Sequence, residues 1–291
     1  MNRKIFLFIF VAVFLLIFYT PLRELLFYST HPKNTRYNSH IVFIPIICGY
    51  LMYLKRKEIA ENAKYSIGKG IAVIMVGICL YFVTLTFKDG LYSIDNLSLK
   101  ILATIITMWG GFVLLLGPGS FRTALFPLLF LIFLIPIPAR LMEYAFRFLQ
   151  MCSTEVSYGF FELTGIPIAR DGFIFHLPGL SIEVAEQCSG MRSTISLVIV
   201  GILSGHLFLR TLWKKMVLAV VTLPITILGN GLRIGVLTLL SIYVNSDFIV
   251  ADSLLHLKGG WVFFLFDFAL LGGIMVILRK TEKACFEIGN N

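Results

Sequence analysis

Apolar residues along the chain gather into long uninterrupted runs, broken by short segments in which lysine and arginine cluster. The runs lack the three-to-four spacing of a helix that keeps one wet face, so they predict helices that are apolar all round. A spanning helix needs about 20 mainly apolar residues, because about 30 Å of hydrocarbon is crossed at about 1.5 Å per residue. Eight runs qualify: Ile5–Tyr19, His40–Leu54, Gly68–Phe87, Leu99–Leu116, Leu125–Pro138, Ser189–Leu209, Lys215–Leu232 and Gly259–Leu278. The second and fifth are short and borrow length from their flanks. The first follows basic residues but has no small-residue cleavage site, and reads as a retained anchor rather than a removed signal.

One stretch breaks the pattern, between Ala139 and Gln187. Its first half, ARLMEYAFRFLQMCSTEVSYGFFEL, mixes apolar and charged residues at helical spacing and predicts an amphipathic helix on the membrane surface. Its second half, GIPIARDGFIFHLPGLSIEV, divides β-prone runs at Asp171-Gly172 and Pro178-Gly179 and predicts a small hairpin. The fold expected is therefore an all-α polytopic membrane protein of about eight transmembrane helices with an extracytoplasmic amphipathic helix and β-hairpin insertion. It forms a single integral membrane domain: residues 1–138 carry five spans, 139–187 the insertion and 188–291 the remaining three.

Composition agrees with this reading. Hydrophobic residues make up 58% of the 291 residues and charged residues 14%, too few polar side chains to cover a water-facing globule. The net charge of +9 raises the question of nucleic acid. With the N-terminus inside, the inner segments hold fourteen bases and four acids, from Arg3 and Lys4 to Arg279, Lys280 and Lys283. Eleven bases and twelve acids remain elsewhere, so the whole positive excess falls on one side, as cytoplasmic loops require. No nucleic-acid partner is needed, membrane lipids are the expected surroundings, and both termini are expected in the cytoplasm. The cysteines, Cys48, Cys79, Cys152, Cys188 and Cys285, show no CxxC or CxH spacing, so neither a metal nor any other cofactor is implied.

Depth measured from the basic inner ends brings three polar groups to one level. Cys188 lies ~33 Å of helix above Arg210, Arg233 ~27 Å above Lys215, and Gly260, just after His256, ~29 Å above Arg279. Thiolate is the reactive form of cysteine, and a helix N-terminus or a nearby cation favours it. Cys188 opens the sixth span, and Arg192, four residues on, is expected on the same helical face. Arg233 follows Gly229-Asn230-Gly231, where a loosened helix is expected to expose backbone to a cavity, and Asn230 shares its face. A fixed cation there stabilises a thiolate, or the oxyanion of an attacked carbonyl. His256 is the natural proton carrier at neutral pH.

Each residue also has a plainer reading: a buried small cysteine, an arginine snorkelling to headgroups, a histidine in an interfacial loop. Cys152 is either a thiol or a disulfide partner of Cys188. Glu183 and Glu186 either orient His256 or a substrate, or are solvated strand ends. His40 opens the second span as an interface residue or a supporting one. Asp267, an acid inside the last span, is a functional candidate without an identifiable partner.

These residues carry a resemblance. EVAEQCSGMRS (Glu183–Ser193), LGNGLRI (Leu228–Ile234) and HLKGGWVFF (His256–Phe264) follow one another as the cysteine, arginine and histidine motifs of the exosortase and archaeosortase family do. YNSHIVFIP and FPLLFLIFLIPIP add weaker support. That family resembles sortases in chemistry though not in fold, and processes exported proteins bearing a C-terminal sorting signal. The signal comprises a short motif, often Pro-Glu-Pro, then a transmembrane helix and a basic tail. The resemblance implies Cys188 as nucleophile, Arg233 as stabiliser of thiolate or oxyanion, and His256 as general acid/base; beside them Glu186, Arg192, Asn230 and His40 are candidates for binding substrate or supporting the site. It implies a thioester intermediate and transfer to an acceptor amine or lipid, in a cytoplasmic (inner) membrane with the site facing outward, and a link to exopolysaccharide export. A hydrolase without transfer, or a transporter or scaffold without chemistry, are the alternatives. On this topology an impermeant thiol label applied to sealed vesicles reaches cysteines introduced at both termini only from the cytoplasmic side. An externally labelled C-terminus would overturn it.

Overall fold

A computed structural model describes residues 3–31, 35–86, 93–244 and 254–288. The chain divides into two compact units, Met1–Met142 and Glu143–Asn291. The first contains α1 (Arg3–Ile17), α2 (Tyr19–Thr30), α3 (Thr35–Asn38), α4 (Ile44–Leu54), α5 (Arg56–Glu61), α6 (Ile67–Thr86), α7 (Ser93–Thr123) and α8 (Leu125–Phe130). Near its end begins α9 (Ala139–Thr164). The second unit continues through β1 (Ala169–Asp171), β2 (Ile174–Leu177) and β3 (Leu180–Glu183) to α10 (Met191–Phe208), α11 (Leu212–Tyr243) and α12 (Leu254–Ile288).

Among the described residues five helices are long and apolar enough to cross a membrane: Ile67–Thr86, Ile94–Thr123, Glu186–Phe208, Leu212–Tyr243 and Gly260–Glu282. Two bent pairs, Phe8–Ile17 with Tyr19–Thr30 at 67° and Leu125–Leu134 with Ala139–Thr164 at 88°, raise the number to seven if each is one span. Eight were expected. The second expected span is the shorter apolar stretch Ser39–Leu54, a 3-10 turn followed by α4. The fifth ends in a 3-10 turn at Leu131–Leu134, ahead of Pro136 and Pro138, which cannot donate to a helix ladder and disfavour helix in the residue before them.

In the first unit α6 and α7 pack through glycine. A Cβ at Gly110 would lie 2.6 Å from Ile74 N, and one at Gly77 would meet Thr107. Apolar surface gains little by leaving lipid, so membrane helices associate through close backbone approach of this kind. Gly117, at φ +80, interrupts α7 just before Pro118, and its Cα sits against the Lys64 carbonyl with no room for a Cβ.

The expected hairpin is a three-stranded antiparallel sheet in the order β1-β2-β3. Both turn signals are used, and two turns make three strands. Pro178 supplies the fixed φ and Gly179, at φ +78, the left-handed position that the second turn requires. His176 pairs with Ser181 across it, ring Nδ1 to hydroxyl at 2.9 Å. Beneath the sheet, Phe175 meets Phe161 of α9 edge-on at 5.3 Å within a cluster with Leu177 and Val184. The exposed Arg170–Glu155 ion pair, at 2.8 Å, adds little.

The interior face of α9 carries Gln150, Ser153, Thr154 and Ser157 beside Leu149 and Phe161, while Tyr144, Phe148, Met151 and Leu163 are exposed. The helix is amphipathic as expected, with Arg140, Glu143, Arg147, Glu155 and Glu162 exposed, while a row of amide and hydroxyl residues points into the protein. Below it, α10, α11 and α12 share a core of Leu197, Leu209, Leu218, Ile225 and Leu271. The Glu282 carboxylate accepts from the N–H groups of Arg210, at 3.0 Å, and Thr211, at 2.6 Å, capping α11 with an anion where its dipole favours one. Lys214 Nζ donates to Leu278 O at 3.2 Å and Thr281 Oγ1 at 3.1 Å beside it.

Replacing Gly77 with leucine forces α6 away from α7 and is expected to cost about 1–3 kcal/mol. Thermal unfolding of the detergent-purified protein should show a lowered Tm.

Candidate functional site

Cys188 ends a 3-10 turn, Glu186–Cys188, that joins β3 to α10. The Cys188 N–H donates to Ala185 O at 2.8 Å and the Ser189 N–H to Glu186 O at 3.0 Å, closing the turn on itself. Gly190 follows at φ +82 as the N-cap of α10. A side chain at this left-handed residue would be strained, and its Cβ would lie 2.9 Å from Asn230 Cγ. This kink corrects one expectation. Arg192 does not share a helical face with Cys188, because the helix begins only at Met191, and Arg192 is exposed.

Asn230 is 6% exposed on α11. Its Nδ2 donates to Cys188 O at 2.7 Å and to Ser153 Oγ at 3.0 Å. A carbonyl oxygen can only accept, so the amide orientation follows from chemistry. Both amide hydrogens are used inside the protein, which makes Asn230 a support of the Cys188 backbone rather than a hand for substrate. The helix is not loosened here: α11 runs unbroken from Leu212 to Tyr243, and its glycines are contact points. Gly231 lies against Val156 of α9, and Gly229 against the Asp267 carboxyl of α12, each too close for a Cβ. Ser157 Oγ donates to Gly231 O at 3.0 Å.

Arg233 lies three residues beyond Asn230, on the same helical face, and is half-buried. It sits within α11 rather than at a helix end. The first N–H groups of α10 lack partners within the helix and carry partial positive charge, two residues beyond Cys188. Cys188 is thus partly exposed, just ahead of a helix N-terminus and joined through Asn230 to the turn of α11 that carries Arg233. Cys48, Cys79, Cys152 and Cys188 are thiols, so the possible Cys152–Cys188 disulfide is not formed.

His256 lies in the first turn of α12, and the side chains of residues 254–259 lie outside the described residues. Glu183 on β3 and Glu186 are exposed. His40 belongs to the first unit, where it is half-buried and hydrogen-bonds the backbone at Tyr37 and Phe133. Cys285 lies outside the residues whose side chains are described. The buried Ser189 hydroxyl and Asp267 Oδ1 have no hydrogen-bond partner among the described residues.

Ser153 and Gln150 escaped the sequence reading. Their signal was present, as amide and hydroxyl residues at 150, 153, 154 and 157 repeat at helical spacing along the amphipathic helix. Asp267 now has a contact, the Gly229 backbone.

A multi-helical membrane protein with a partly exposed cysteine beside an arginine defines the class. A model of the transmembrane exosortase family (Exosortase_EpsH) matches residues 33–273, and the chain belongs to that family. Membership supports a membrane transpeptidase- or protease-like role in general. No curated protein and no solved structure matched the chain.

Gly190→Ala tests the geometry. The strained left-handed alanine, costing about 1–2 kcal/mol, also presses on Asn230, so both the Tm and the alkylation rate of Cys188 should fall.

Proposed function

We propose that this protein is a cysteine transpeptidase that cleaves a C-terminal sorting signal from exported, membrane-anchored proteins and passes the new carboxyl end to an acceptor. The observation that carries the reading is the seat of Cys188, just ahead of α10 and held through its carbonyl by Asn230 on the turn of α11 that also carries Arg233, within a chain of the exosortase family. The substrate's own transmembrane helix docks laterally in a cytoplasmic membrane, and its motif, of the Pro-Glu-Pro type, meets Cys188 on the extracytoplasmic side.

The Cys188 thiolate adds to the scissile carbonyl carbon, and the oxygen becomes an oxyanion facing Arg233. As the carbon–nitrogen bond breaks, His256 in its imidazolium form gives its proton to the leaving amine. A thioester remains on Cys188. An acceptor amine then attacks it, His256 takes the amine's proton, and the thiolate is restored. Water in place of the amine gives hydrolysis, so the outcome depends on which nucleophile reaches the thioester first. Binding the substrate by its lipid-embedded helix supplies the proximity such a reaction needs.

Cys188→Ala is expected to leave full-length precursor in the membrane, with processing lowered on the order of 10³-fold or more. Arg233→Ala should lose about 10²–10³-fold, the usual effect of removing one oxyanion donor. Immunoblotting of a tagged substrate measures both, and mass spectrometry of its new C-terminus separates transfer from hydrolysis. Unchanged processing by the Cys188 variant overturns the nucleophile assignment and leaves a transport or scaffold role.

A further inference from the structure

The segment that carries Cys188 leans on α9 at both of its ends. At the near end Gln150 Nε2 donates to Val184 O at 2.5 Å. At the far end Ser153 Oγ accepts one amide hydrogen of Asn230, whose other hydrogen goes to Cys188 O. Ser153 is fully buried and Gln150 nearly so, which removes water as a substitute partner. The amide of Asn230 can aim at the Cys188 carbonyl only while its second hydrogen is taken up elsewhere. Without the Ser153 hydroxyl that hydrogen has no acceptor, and the amide gains by turning.

We propose that Ser153 is a positioning residue for Cys188, acting through Asn230, and that Gln150 fixes the other end of the same segment at Val184. This rests on Cys188 being the reacting group, and it makes α9 a part of the site. The expected consequence is specific. The thiolate is favoured by its closeness to Arg233 and to the α10 N-terminus, and both effects fall off steeply with distance. A segment that drifts from its seat therefore loses thiolate while the fold persists.

The test uses the full chain in lipid vesicles with Cys48, Cys79, Cys152 and Cys285 replaced by alanine. The rate of Cys188 alkylation by iodoacetamide is followed between about pH 5 and pH 10, where thiol and thiolate exchange. Ser153→Ala should lower the rate at neutral pH about 3- to 10-fold and move the profile to higher pH. Ser153→Thr, which keeps the hydroxyl, should restore the parent profile. Thr154→Val should leave it unchanged, since the Thr154 hydroxyl bonds only the Gln150 carbonyl of its own helix. In an Asn230→Ala background, Ser153→Ala should have no further effect. An unshifted profile in folded Ser153→Ala, or effects that multiply in the double variant, overturns the inference. Should Ser153→Ala not fold, Gln150→Met is read in the same way, and an unshifted profile again decides against it. Processing by Cys188→Ala is measured in parallel. If it persists, the functional reading fails whatever the profile does. If it is lost while Ser153→Ala keeps the parent profile, only the positioning role fails.

Discussion

A polar backbone group placed among apolar helices has no water to fall back on, and each one left unpaired costs several kilocalories per mole. The carbonyl of Cys188 stands where a 3-10 turn gives way to a left-handed glycine, and the Asn230 side chain takes it up. Through its two hydrogens that one amide joins three separate parts of the chain: α9, the turn ahead of α10, and α11. Gly190 answers to the same constraint, since its φ of +82 and its contact with Asn230 both exclude a side chain.

The placement of positive charge follows from this junction. Anchoring Cys188 to α11 at residue 230 brings it to the turn of α11 that carries Arg233, and the same kink leaves the first N–H groups of α10 open just beyond the cysteine. Two sources of positive potential thus act at one thiol without either having to form an ion pair. Neither is easily moved. The glycines flanking Asn230 let α11 seat directly on Val156 of α9 and Asp267 of α12, as close-packed membrane helices do. At its other end α11 is held by the Glu282 cap.

The sheet and α9 form the outer part of the same support. Phe161 and Phe175 join them through apolar contact, while Gln150 and Ser153 join α9 to the cysteine segment through hydrogen bonds. Apolar burial holds the sheet on α9 without fixing direction, whereas a hydrogen bond out of contact with water specifies position.

Much of this was legible in the order of residues. Hydrophobic runs predict α6, α7, α10, α11 and α12 because a helix in lipid must be apolar all round and about 20 residues long. Pro178-Gly179 predicts its turn because only those two residues meet its dihedral demands so cheaply. The common depth of Cys188 and Arg233 could be counted from the basic ends because helical rise is constant. What the sequence could not reveal depends on side-to-side packing. The chain breaks at Pro136 and Pro138 and bends by 88° between Leu125–Leu134 and Ala139–Thr164, since neighbouring packing decides whether an interrupted helix is straight. The charged residues of α9 are exposed, but the row of Gln150, Ser153, Thr154 and Ser157 turns inward, for periodicity defines a face and not the neighbour it meets. Asn230 resembled a group free to hold substrate until Ser153, 77 residues away, occupied its second hydrogen. Local composition therefore determined most of the elements and singled out Cys188 and Arg233 as candidates. Only the tertiary structure decided which polar groups satisfy one another, because a hydrogen bond is set by distance in space, and nothing in the spacing of two residues along a chain encodes that distance.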